Sequence, residues 1–173
     1  YKIMKKILAI TALSALAVGC MPAENETSEV QAMYEANCAT VTTALENFQN
    51  ETGDYSLYNQ ESFWARPTRF NPAEGDSISL EEMKESNMNG WAMMDYELVS
   101  DLKFLSGVDP STNMMDGSVR YYGVWKVTRT ATDSIEAKSF TVPVYSSFDF
   151  DEEGKILFQQ NYGDFTAAFN SLN

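Results

Sequence analysis

The residues Asp116-Gly117-Ser118-Val119-Arg120-Tyr121-Tyr122-Gly123-Val124-Trp125-Lys126-Val127-Thr128 open a stretch, running to position 161, in which two long β runs and a shorter third follow with little between them. Val119, Tyr121, Gly123, Trp125 and Val127 alternate with Arg120, Tyr122, Val124, Lys126 and Thr128, so one face is apolar and aromatic and the other carries most of the charge. Phe140, Val142, Val144, Ser146, Phe148 and Phe150 repeat the pattern against Thr141, Pro143, Tyr145, Ser147 and Asp149. Asp151-Glu152-Glu153-Gly154 then supplies turn chemistry and reverses the chain into residues 155–162, where the alternation puts Ile156, Phe158, Gln160 and Tyr162 on one side. An antiparallel meander with one greasy face follows from this pattern.

Working outward, the stretch before the meander supplies its cover. From Val30 the period turns helical, with Val30, Met33, Tyr34, Cys38, Val41, Leu45 and Phe48 on one face until Thr52-Gly53 stops it. Cys38 lies inside that face and reads as a small buried hydrophobe, since no histidine is available to activate a thiol. Residues 54–60 read as a short helical or irregular turn, 62–66 as a strand closed by Pro67, and 69–72 as a second short strand before the turn Ala73-Glu74-Gly75-Asp76. Ser79-Leu80-Glu81-Glu82 is a capping box, opening a helix whose inward face is Leu80, Met83, Asn87, Trp91 and Met94. A strand over 96–105 changes phase at Ser100 and Asp101, and 106–117 is turn chemistry throughout. After the meander, residues 163–173 predict one or two amphipathic turns.

At the other end, Lys5-Lys6 and the apolar run 7–18 have the charged start and short hydrophobic core of a secretory signal, too short to span a bilayer as an anchor. The run ends in Ala17-Val18-Gly19-Cys20, which resembles the lipobox of bacterial lipoproteins, with Ala17 where that motif favours leucine. The resemblance implies removal of residues 1–19, a lipid on Cys20 and a polar tether over 20–29. The domain would then lie in the cell envelope, in the periplasm or at the outer-membrane surface, tethered without spanning the membrane. Cleavage after Ala15-Leu16-Ala17 is the alternative.

The 173 residues carry 12 Lys and Arg against 25 Asp and Glu; without Lys2, Lys5 and Lys6 the balance from Cys20 onward is 9 against 25, a net of −16. That repels phosphate backbones, and nucleic-acid binding is not expected. With no histidine at all, Ser-His-Asp and Cys-His catalysis are excluded, and no metal or cofactor is expected. One domain, residues 30–173, fits the length.

The element order, a long helix, a short one, paired short strands, another helix and then long antiparallel strands, resembles the nuclear-transport-factor-2-like superfamily, which includes SnoaL-like polyketide cyclases and ketosteroid isomerases. The likeness is carried by Asp116-Gly117-Ser118-Val119-Arg120-Tyr121-Tyr122-Gly123-Val124-Trp125, by Ser147-Phe148-Asp149-Phe150-Asp151-Glu152-Glu153-Gly154-Lys155-Ile156 and by Asn161-Tyr162-Gly163-Asp164. It implies an α+β fold in which a curved antiparallel sheet wraps N-terminal helices as a cone and leaves an apolar pocket. Inward candidates for holding a small apolar molecule are Tyr121, Trp125, Ser146, Phe148, Gln160 and Tyr162 from the meander, with Tyr34, Trp64 and Trp91 from the elements above it. The isomerase branch implies a carboxylate base and a tyrosine donor; the candidates here are Asp54, Asp95 or Asp164 with Tyr121. Two readings stay open, a binder and an isomerase, cyclase or dehydratase-type enzyme. Tyr122, Val124 and Tyr145 on the outer face leave room for a homodimer, frequent in the superfamily.

Overall fold

In the computed structural model, residues 24–66 and 77–172 are described; the expected signal segment, Cys20, the expected strand 69–72 and the expected turn 73–76 lie outside them. The elements are α1 (Glu24–Gln49), β1 (Trp64–Arg66), β2 (Ile78–Ser79), α2 (Leu80–Trp91), β3 (Met94–Leu98), β4 (Lys103–Val108), β5 (Met115–Arg129), β6 (Lys138–Phe150), β7 (Ile156–Tyr162) and α3 (Phe165–Asn170). The sheet runs β2-β1-β7-β6-β5-β3, with β4 also on β5, and it curls strongly into a half-barrel. It is mixed rather than wholly antiparallel, because β1 joins β7 in parallel, Trp64 opposite Phe158 and Arg66 opposite Gln160.

α1 begins at Glu24 rather than Val30. No glycine or proline falls between Ala23 and Gly53, so the backbone stays helical through polar residues ahead of the buried face. Glu51 (φ 53°) and Gly53 (φ 66°) turn the chain out of the helix. Val41 and Ala44 face the sheet and pack with Val119, Phe148 and Ile156 in one core. Asn37, buried on α1, donates from Nδ2 to the Gly117 carbonyl at 2.9 Å and fixes the helix over the start of β5. Gly117 (φ 81°) allows the approach, since a Cβ there would come within 2.5 Å of the Met33 sulfur.

The strand expected over 96–105 is two strands laid end to end along one edge of β5, the first pairing Leu98 with Trp125 and the second Lys103 with Tyr122. The change falls at the phase break: Ser100 turns its hydroxyl to accept from the Val124 N–H at 2.9 Å. β4 also carries the pairing on to Val108, where only turn chemistry is expected, and the reversal itself is confined to residues 109–114. α2 starts with the full capping box, Glu82 N–H to the Ser79 hydroxyl and Ser79 N–H to the Glu82 carboxylate. It ends at Trp91, so Met94 belongs to β3 and not to the helix face.

The pairing of β6 with β7 overturns the expected alternation. Asp149 faces Phe158 and Phe150 faces Ile156, which leaves Leu157 over as a bulge and reverses the phase beyond it. Gln159 therefore sits beside Phe148 and Asn161 beside Ser146 on the concave face, while Gln160 and Tyr162 point outward. Tyr162 is 50% exposed and stacks at 5.7 Å on Tyr145, which stacks at 4.9 Å on Tyr122.

Candidate functional site

Between the concave face and its helices lies a cavity of about 350 Å³. Its floor is Tyr121, Trp125 and Val127 of β5, Val142, Val144, Ser146 and Phe148 of β6, and Gln159 and Asn161 of β7. Ala44, Leu45 and Phe48 of α1 and Met83, Asn87 and Trp91 of α2 cover it, with Phe165 and Phe169 of α3 closing one side. Phe48 is the hinge of the aromatic wall, 5.7 Å from Trp91, 4.9 Å from Tyr96 and 5.7 Å edge-on from Trp125. A wider groove of about 1640 Å³ opens outside, between α2 and the β6–β7 turn. Glu81, Glu82, Glu85, Asp151, Glu152 and Glu153 line that groove, so it is a solvated charged surface and the enclosed cavity is the candidate site.

Tyr121 is fully buried, and its hydroxyl has no hydrogen-bond partner. Its ring folds over Gly123, where a Cβ would stand 1.9 Å from the phenolic oxygen. Burial pushes the phenol up to about 12; the nearby Trp125 side chain offsets part of this without making a well-formed hydrogen bond. The Trp91 indole N–H is likewise unpartnered. Tyr58, carried in by the 55–60 turn through its bridge to Ile156, donates to Gln159 Oε1 at 3.4 Å, and burial holds its phenol well above the ordinary value. Asn87 donates to the Tyr55 hydroxyl at 2.9 Å.

Of the residues singled out in the sequence, Tyr121, Trp125, Ser146, Phe148 and Trp91 line the cavity. Gln160 and Tyr162 do not, because of the bulge. Trp64 is 38% exposed and stacks on Phe158 at 4.3 Å on the outer face, leaving its neighbour Ala65 to point inward. Tyr34 lies farther toward the start of α1, beside Cys38, its phenol pushed up to about 12 by burial and by that thiol. Burial raises the Cys38 thiol too.

The three aspartates are not brought together. Asp54 reaches the rim, where Ser56 N–H donates to it at 2.9 Å; that bond and the Ser56 hydroxyl hold its carboxyl below the usual range. Asp95 pairs in register with Thr128 and is exposed. Asp164 caps α3, accepting from the Ala167 N–H at 3.0 Å. Asp54 is thus the one carboxylate among the described lining residues, and Arg66, at the rim, the one cation. Among the described residues no group of three or more Cys, Asp or Glu side chains could hold a metal ion.

Gln159, Asn161 and Tyr58 enter the site without having been singled out, and Asn87 enters from the helix face the sequence placed inward. For the first two the strand's own sequence gives no signal: Ile156-Leu157-Phe158 is followed by Gln159-Gln160-Asn161, three apolar and then three polar residues, with no alternation to pick out the inward ones.

The chain matches no family model and no curated protein. It is similar in structure to a phenazine biosynthesis-related protein of Pseudomonas aeruginosa, at 13% identity over 93% of this chain and 91% of that one, with a TM-score of 0.57. It is also similar to a candidate SnoaL-like polyketide cyclase of Shewanella denitrificans (10% identity, 79% and 96% covered, TM-score 0.55) and to a candidate isomerase of Bacillus subtilis (9%, 82% and 99%, 0.60). At such identities the likeness is one of fold. With the curled sheet and its helical cover, it shows that this chain has the cone-shaped α+β fold of the nuclear-transport-factor-2-like and SnoaL-like proteins.

Proposed function

We propose that the domain takes up a small apolar molecule in the cone cavity and that a lipid on Cys20 tethers it in the cell envelope. The observation that carries the first part is the cavity itself, about 350 Å³ of mostly apolar space floored by a fully buried Tyr121 whose hydroxyl is unpartnered. Left unfilled, a cavity of that kind would cost packing energy, and a buried hydroxyl without a partner about 1–3 kcal/mol more. A guest relieves both. Acid–base catalysis in the same cavity is the second reading and has weaker support, since Asp54 is held ionised at the rim by Ser56. The anchor is supported by Lys5-Lys6, the apolar run and Ala17-Val18-Gly19-Cys20.

Native mass spectrometry of protein taken from cells, followed by thermal shift against small apolar compounds, tests the binding. A guest at a hundred times its Kd stabilises the fold by about 2.7 kcal/mol, and Val144→Trp, which fills the floor, abolishes that gain. A chain that carries no guest and shifts with none removes the reading. Labelling with a palmitate analogue tests the anchor, which predicts incorporation that Cys20→Ser eliminates.

A further inference from the structure

The polar groups on the cavity floor share one direction. Strand register sets Tyr121, Ser146 and Asn161 in a single row across β5, β6 and β7, with Gln159 one step along on the same face. Ser146, 2% exposed, donates to Asn161 Oδ1 at 2.7 Å, and Gln159 Nε2 donates to the same oxygen at 3.3 Å. Tyr58 donates to Gln159 Oε1. Both lone pairs of the Asn161 carbonyl are therefore taken, while neither N–H of its amide has a partner among the described residues. Gln159 Nε2 makes one bond among the described residues, which leaves its second N–H, and the Tyr121 hydroxyl is unpartnered. Amide N–H groups can only donate, whereas the Tyr121 and Ser146 hydroxyls can turn either way, so the groups on the floor that fix what a guest must bring are hydrogen-bond donors.

We infer that the floor is a donor site for a neutral, largely apolar molecule carrying carbonyl-type oxygens, such as a ketone, ester or lactone, with Asn161 and Tyr121 as the residues that set this specificity. The inference rests on the binding reading above and adds the chemical class of the guest. A carboxylate would satisfy the donors but would leave water for a site where Arg66 is the one cation among the described lining residues. A hydrocarbon would leave the donors unmatched. An alcohol would also have to place its own proton, on the Tyr121 or Ser146 oxygen or on the second lone pair of the Gln159 carbonyl, which a ketone does not.

The test uses one ring skeleton in four forms, tetralin, 1-tetralone, 1-tetralol and tetralin-1-carboxylate, titrated into the expressed chain by calorimetry and by the fluorescence of Trp91 and Trp125. The ketone is expected to bind about three- to tenfold more tightly than the hydrocarbon for each donor engaged, and more tightly than the alcohol or the acid. Asn161→Leu and Tyr121→Phe should each bring the ketone-to-tetralin affinity ratio down toward one; Tyr121→Phe keeps the ring and tests the proposal even if Asn161→Leu fails to fold. Asn161→Asp, an acceptor in the same place, should turn preference from ketone to alcohol. Equal binding of hydrocarbon and ketone, or a preference of the unaltered chain for alcohol or acid, overturns the donor inference while the binding reading stands. Failure of all four to bind overturns both.

Discussion

A Cβ at Gly123 would stand 1.9 Å from the Tyr121 hydroxyl and 2.5 Å from its ring carbon, so the two residues form one packing unit on the cavity floor. Gly123→Ala must push the ring off the sheet and is expected to cost about 1–3 kcal/mol, read as a lower urea midpoint. In a Tyr121→Leu background, where no ring lies over position 123, the same change should cost distinctly less. Additive penalties would show that the ring does not rest on this glycine. The inward direction of Tyr121 was legible from alternation alone, because the register of β5 against β6 is unbroken from Val119 to Arg129. The fold of its ring over Gly123 was not, for alternation gives a side chain's face and not its rotamer.

The elements show where pattern reading succeeds. The capping box at Ser79 is local chemistry, and both reciprocal bonds form, at 3.3 Å to the Ser79 hydroxyl and 2.7 Å to the Glu82 carboxylate. Ser79→Ala should lower stability by about 1 kcal/mol and speed amide exchange first in α2, the helix that roofs the cavity through Met83, Asn87 and Trp91. Uniform exchange across the whole domain would show instead that α2 opens only with global unfolding. The break between β3 and β4 was legible for a similar reason, a polar pair out of phase at Ser100 and Asp101. β7 was not. Its bulge at Leu157 depends on β6 pairing on one side and on Leu57 accepting from the Ile156 N–H on the other, neither of which a single strand's sequence contains. One residue of slip therefore exchanged Gln160 and Tyr162 for Gln159 and Asn161 as the floor's polar groups. Trp64 was misplaced for a related reason: its strand has three residues, too few to display a period, and its face is set by parallel pairing to Phe158.

Across the whole molecule, a cavity floor and walls rich in tyrosine make stability sensitive at alkaline rather than neutral pH. Burial raises the phenols of Tyr58, Tyr121, Tyr55 and Tyr96 above the ordinary value near 10, Tyr121 to about 12. A phenol whose folded pKa exceeds its unfolded one keeps its proton longer in the native state. Its contribution to stability is complete below pH about 10 and is lost as pH climbs through the folded values, because the unfolded chain then binds fewer protons. The expected outcome is a flat urea midpoint from neutral pH to about 10, followed by a steep fall toward 12. The late phenolate absorbance should appear together with loss of far-ultraviolet ellipticity, since these rings ionise when the cone opens. Occupancy of the cavity should move the fall to higher pH, as a guest that binds only the folded form adds stability at every pH where it stays bound. Phenolate absorbance that develops fully while the ellipticity is intact would show that water already reaches these rings in the folded cone, and the cavity would then be a wet vestibule rather than an enclosed apolar site.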